Sequence, residues 1–234
     1  MISEKMKPMM AGSSVIRAMF EEGVKMAAVY GKDNVYDFSL GNPNVPAPDC
    51  VKQAILDIIN EEDPVMVHGY MPNAGYLDVR TAVADSLNRR FGMDYGPENI
   101  LMTVGAASGL NDILKTILNP GDQVLTFAPF FVEYSSYVKN YDGELVVVPP
   151  DTSTFQPDLE EFEKRINHRT KAVIVNNPNN PTGVVYSEET IRRMAGVLER
   201  KSREIGHPIV LISDEPYREL VYDGVQVPYI PKFY

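Results

Sequence analysis

The chain has 234 residues, 44% of them hydrophobic, and sets 22 Lys and Arg against 32 Asp and Glu for a formal charge of -10. That length and apolar content suit one large α/β domain or a domain and a half. The acidic balance excludes an electrostatic nucleic-acid binder, which needs a basic stripe.

Cys50 is the only cysteine, which excludes an intrachain disulfide and a cysteine-built metal centre, and a reduced, cytoplasmic setting is expected. No stretch has the continuous apolar run of a membrane span or a cleaved signal. His68, His168 and His207 are scattered without metal-ligand spacing and read as surface or structural residues.

Taken in order, Ser13 or Ser14 can cap a helix whose apolar residues Val15, Ile16, Met19, Phe20 and Val24 recur at three and four, ending near Gly31. Its apolar face suits ordinary packing or a dimer-facing arm. Tyr36 to Leu40 is extended, and Gly41-Asn42-Pro43-Asn44-Val45-Pro46 denies regular structure in the manner of a linker. A helix from Asp49 to Asn60 is predicted to bury Val51, Ile55, Ile58 and Ile59. After the loop from His68 to Gly75, another helix uses Leu77, Val83, Leu87 and Phe91 and stops at Gly92.

From there strands and helices alternate. Strands are predicted at Asn99–Val104, Gln123–Phe127, Glu144–Val148, Lys171–Val175 and Pro208–Ser213. Helices are predicted at 110–118, 131–141, 159–166 and 188–203. Alternation at this spacing implies right-handed crossovers and a mostly parallel sheet flanked by helices.

Four special segments each follow an apolar run: Gly105-Ala106-Ala107-Ser108, Pro129-Phe130-Phe131, Asn177-Pro178-Asn179-Asn180-Pro181-Thr182-Gly183 and Asp214-Glu215-Pro216-Tyr217. With parallel strands all four converge on one crevice at the carboxyl edge of the sheet, where open α/β sheets bind ligands. Each has two readings. The small residues around Gly105 open backbone amides and a helix N-terminus to an anion, or form a plain turn with Ser108 as cap. Phe131 can lie against a flat heterocycle, or it belongs to the core with Phe130, Tyr134 and Tyr137. Asn180 either serves a ligand or closes its turn. Asp214, emerging from Ile209–Ser213, needs a partner for its charge, unless it caps a following helix.

The NPNNPTG run followed by SDEPY resembles the fold-type I pyridoxal 5'-phosphate (PLP) enzymes, specifically the class I/II aminotransferases related to aspartate aminotransferase. The resemblance extends from about Ser13 to Tyr234 and implies the α/β fold of the PLP-dependent transferase large domain. Residues 1–45 would then form an N-terminal arm and small-domain segment, and residues 46–234 an incomplete PLP-binding large domain. The implied roles give the cofactor phosphate to Gly105, Ala106 and Ala107 and the ring face to Phe131. Asn180 and Tyr217 would serve the ring oxygen, and Asp214 the ring nitrogen. Gly41 and Asn180 would meet the substrate carboxylate, and Tyr70 would reach a partner subunit's cofactor phosphate in a homodimer.

The same resemblance places the Schiff-base lysine, and two strands at the centre of the sheet, on a segment beyond Tyr234; Lys232 lies too early and beside Pro231. The expectation is an amino-terminal part of a longer aminotransferase, inactive by itself, acting on an amino acid and a 2-oxo acid. Two other readings keep the motifs: a C–S lyase or an aminocyclopropane-carboxylate synthase-like enzyme, and a non-catalytic domain of the same fold used for ligand sensing or dimerisation. A nucleotide-binding domain is disfavoured, because the strand-helix turn lacks the three-glycine fingerprint.

Overall fold

The computed structural model describes residues 1–11, 15–39, 41 and 45–234. The predicted cap at Ser13 or Ser14, and Leu40, Asn42, Pro43 and Asn44, lie outside them. Two compact units divide the chain, Met1–Pro72 and Asn73–Tyr234.

The first unit is helical: α1 (Met6–Ala11), α2 (Val15–Tyr30), α3 (Asp49–Glu61) and α4 (Pro64–Val67). Gly31, at a φ of 87°, ends α2 as expected. Asp63 caps α4 by accepting from the amide of Val65 at 2.7 Å. One expectation fails here. Val51, Ile55, Ile58 and Ile59 of α3 are not buried but between 46% and 61% exposed. The helical period places them on one stripe, yet no residue described in the structure covers that stripe. Met19, Phe20 and Val24 of α2 are exposed as well, and so are Gly41 and Tyr70.

The second unit carries α5 (Leu77–Phe91), α6 (Ala106–Ile117), β1 (Gln123–Phe127), α7 (Tyr134–Asn140), β2 (Glu144–Val148), α8 (Leu159–Arg165), β3 (Thr170–Asn176), α9 (Glu188–Ile205) and β4 (Val210–Asp214). The sheet runs β2-β1-β3-β4 and every pairing is parallel. Alternation along the central strands feeds two cores. Leu125, Phe127, Val173 and Val175 face a cluster that includes Phe162 of α8 and Ile191, Met194 and Leu198 of α9. Val124, Ala172 and Ile174 face Leu110 and Leu114 of α6 and Tyr134 and Val138 of α7. A sheet covered on both faces explains why its strands read as continuous apolar runs.

Local chemistry fixes the helix ends. Ser187 accepts from the amide of Thr190 at 3.1 Å to start α9, and left-handed Gly206 ends it. Gly92, at a φ of 65°, ends α5 where predicted.

Three further expectations are corrected. Asn99–Val104 is not a strand. Asn99 closes a short 3-10 turn from Pro97, and Leu101 and Val104 are 60% and 93% exposed. A strand exists only with a ladder partner. β1 is already paired on both sides, and no strand among the described residues runs beside this segment. Leu77 of α5 is exposed rather than buried. The helix predicted from Phe131 starts at Tyr134, because the residues after Pro129 form a turn first.

Candidate active site

The parallel register brings the ends of β1, β3 and β4 to one edge, and a cleft of about 240 Å³ opens there. Ala106, Ala107, Phe131, Asn180, Asp214 and Tyr217 all line it, with Leu110, Tyr137, Asn176 and Pro216. Gly41 and Tyr70 belong to the first unit and are not among its lining residues.

One wall is the start of α6. Gly105 takes a φ of 80°, a left-handed value that favours glycine. It stands at the N-cap without a side-chain cap, so Ser108 does not perform the capping its position suggested. As the first residues of α6, Ala106 and Ala107 carry amides with no carbonyl one turn behind them, and both residues are exposed. Unpartnered amides at a helix start suit an anion.

The floor is the turn after β3. The side chain of Asn176 donates to the carbonyl of Asp214 at 3.0 Å and accepts from the amide of Asn180 at 2.6 Å. Asn179 donates to the carbonyl of Pro129 at 3.3 Å and accepts the Thr182 hydroxyl at 2.8 Å. Asn177 accepts from the amide of Tyr186 at 2.8 Å. Three asparagines therefore lock the turn, and Asn180 is left to aim into the cleft, where its Nδ2 donates to the Tyr217 hydroxyl at 3.2 Å.

The far wall is Asp214 together with the segment just after it. Residues 216–219 form turns rather than a helix, so the reading of Asp214 as a helix cap does not apply. Burial pushes its carboxyl above the ordinary value, a hydrogen bond from Tyr134 opposes that, and neighbouring Glu215 adds to the rise. Arg218 holds the segment in place. It donates to Glu215 at 2.6 Å and to the carbonyls of Val227 and Pro228, each at 2.8 Å, and lies over the rings of Phe91 and Tyr229.

Sequence reasoning missed Tyr134 and Asn176 as site residues. Tyr134 reads as core and is indeed fully buried, but its hydroxyl donates to Oδ2 of Asp214. Asn176 directly precedes the Asn-Pro motif, a hint of position without a hint of partner. His68 and His168 are exposed, and the ring nitrogens of His207 lie 3.0 Å from the carbonyls of Pro208 and His168. No cluster suited to a metal occurs among the described residues.

The amides at the start of α6, the ring of Phe131, an amide-phenol pair and a half-buried carboxylate face one cleft. That donor set fits a phosphorylated aromatic heterocycle with a basic ring nitrogen and an ionisable ring oxygen, which is what PLP presents.

Comparison with known proteins gives the family and the fold. The chain belongs to the class I and II aminotransferase family, whose model matches residues 33–231. It is 38% identical over 186 residues to a probable aspartate/prephenate aminotransferase of Thermus aquaticus, covering 79% of this chain and 46% of that protein. An aspartate aminotransferase of Pyrococcus horikoshii is 31% identical, with 91% of this chain and 51% of that protein covered. Among solved structures, an aminotransferase from Eubacterium rectale superposes with a TM-score of 0.95 at 46% identity, over 100% of this chain and 59% of that one. Aspartate aminotransferase from Thermus thermophilus with maleate gives 0.85 at 29% identity, over 100% and 58%. The fold is therefore the α/β fold-type I architecture, and the chain spans about half the length of the relatives it matches.

Proposed function

We propose that the protein is a PLP-dependent aminotransferase that moves an amino group between an amino acid and a 2-oxo acid, working in the cytoplasm as a homodimer. The observation that carries this reading is the Asn180–Tyr217 hydrogen bond at 3.2 Å, facing the same cleft as Asp214. An amide donor and a phenol donor that meet at one point suit a ring oxygen, and a carboxylate across the cleft suits a ring nitrogen.

In this reading residues 46–234 are the cofactor-binding domain and residues 1–45 the arm and a small-domain segment. Ala106 and Ala107 hold the phosphate through their amides, with Gly105 shaping the approach. Phe131 covers one face of the ring and excludes water from it. Asp214 keeps a proton on the ring nitrogen, and Asn180 and Tyr217 orient the ring oxygen. Gly41 and Asn180 receive the substrate carboxylate, and Tyr70, fully exposed, reaches the phosphate held by a partner subunit. When bound, PLP supplies the electron sink for the pair released at the substrate carbon.

We further propose that these 234 residues do not turn over alone, because the family places the lysine that bonds PLP outside them. The test is to titrate the full-length protein with PLP and then supply amino donors with a 2-oxo acid acceptor. A bound visible chromophore and stoichiometric new amino acid are expected. Failure to retain PLP overturns the cofactor reading. Release of ammonia or of a cyclised product instead of amino transfer overturns the reaction. Turnover by the isolated 234 residues overturns the inactivity.

A further inference from the structure

We propose that Tyr134 is a positioning residue that sets two walls of the cleft at once, fixing Asp214 through its hydroxyl and Phe131 through its ring. The inference rests on the reading of the cleft as a PLP site and concerns how the chain prepares it.

Tyr134 opens α7 and is fully buried in the core formed by α6, α7 and the central strands. A buried phenol needs an acceptor for its proton, and this one has Oδ2 of Asp214, a residue 80 positions away. The other carboxylate oxygen, Oδ1, has no hydrogen-bond partner among the described residues, and Asp214 lines the cleft. One oxygen is thus committed to the core, which leaves the other to the ligand. The same phenol ring meets Phe131 edge to face, with centroids 5.7 Å apart and planes at 82°. An edge supplied from below holds Phe131 in the plane that a stacked heterocycle requires.

The electrostatics come from the same contact. Asp214 is drawn toward its neutral form by burial and by Glu215, and the hydroxyl of Tyr134 is the group that opposes this. Two further phenols, Tyr137 and Tyr217, line the cleft, and the carboxylate of Glu133 acts on Tyr137. Burial and the adjacent carboxylate push the Tyr134 phenol far above its ordinary range, so it remains the donor. A carboxylate held ionised in a partly desolvated site is the state that pairs with a protonated ring nitrogen.

The test uses the full-length protein. Tyr134→Phe keeps the ring and removes only the hydroxyl. Its PLP dissociation constant, read from the visible absorption of bound cofactor, is expected to rise on the order of tenfold at neutral pH, the scale of a hydrogen bond to a charged group. The ratio to wild type is expected to widen as pH falls from about 8 to about 6, because Asp214 in the variant takes up its proton at higher pH. An unchanged constant, or a ratio flat in pH, overturns the role assigned to the hydroxyl.

Tyr134→Leu, which also removes the ring edge, is expected to weaken PLP beyond Tyr134→Phe; equal loss overturns the Phe131 half. Should Tyr134→Phe not fold, a fluorinated tyrosine placed at position 134 preserves the shape with a stronger donor. It is expected to hold PLP to lower pH than wild type, and no shift overturns the proposal. A wild-type protein that binds no PLP at any pH overturns the cofactor reading itself, a result distinct from a variant that binds like wild type.

Discussion

Two amphipathic helices in this chain follow the same rule of spacing and meet opposite fates. In α9, Ile191, Met194 and Leu198 are fully buried beneath the sheet, and both ends are capped. In α3, Val51, Ile55, Ile58 and Ile59 stand on one stripe as well, yet all are exposed, and Pro48 at its N-cap offers no side-chain bond. The difference teaches that a period of 3.6 locates an apolar stripe but does not supply its cover. α9 has a sheet whose alternate residues Leu125, Val173 and Val175 face it; α3 has no such surface among the described residues of its own unit.

The comparison breaks most directly on the buried side. Leu198→Ala removes a fully buried side chain from the larger core cluster and leaves a cavity, for which the usual cost is about 2–5 kcal/mol. The urea midpoint should drop accordingly. A loss well under about 1 kcal/mol would mean that α9 is no better anchored than α3.

What could be read from the sequence divides along the same line. Elements set by neighbours in the chain were legible: the Gly92 and Gly31 helix ends, the apolar runs of β1, β2, β3 and β4, and the polar turns that close them. Convergence of Phe131, Asn180, Asp214 and Tyr217 followed once the strands were parallel, because parallel strands present their carboxyl ends on one side. Properties set by distant partners were not legible. Asn176 reaches Asp214 across 38 positions and Tyr134 reaches it across 80, and neither residue differs in local pattern from a turn or core residue. The segment Asn99–Val104 has the composition of a strand, but pairing belongs to two segments, and only one was in view.

Asp214 sharpens the contrast from within the second unit, where burial works against stability. Its folded carboxyl sits above the ordinary 3.8 because it is partly buried, with Glu215 adding to the rise. A raised carboxyl means the folded chain holds the proton more tightly than the unfolded one. Its favourable contribution is therefore full below the unfolded value and lost as pH rises through the folded one. Asp214→Asn, whose amide oxygen can still accept from Tyr134, should raise the urea midpoint of the ligand-free protein at neutral pH. That gain should shrink as pH falls to about 4. The same variant should bind PLP poorly, which separates the stability of this position from its use. A lower midpoint at neutral pH would show that the carboxylate is held by more than the Tyr134 hydroxyl.

The smallest expected effect is the most informative about α3. Ile55 is 54% exposed, so Ile55→Ala removes little buried surface, and alanine's better helix propensity returns a few tenths of a kcal/mol. The two terms nearly cancel, and the change in stability should stay within about 0.5 kcal/mol. Leu198→Ala makes a comparable cut in side-chain size at a comparable place in a helical stripe, so the ratio of the two losses measures cover rather than chemistry. If Ile55→Ala instead cost about 2 kcal/mol or more, the stripe would be buried in solution. Repeating the measurement over a range of protein concentrations would then identify the cover. A loss that grows with concentration requires a second molecule, because only association makes stability depend on mass action. A loss independent of concentration requires the cover to come from the same chain.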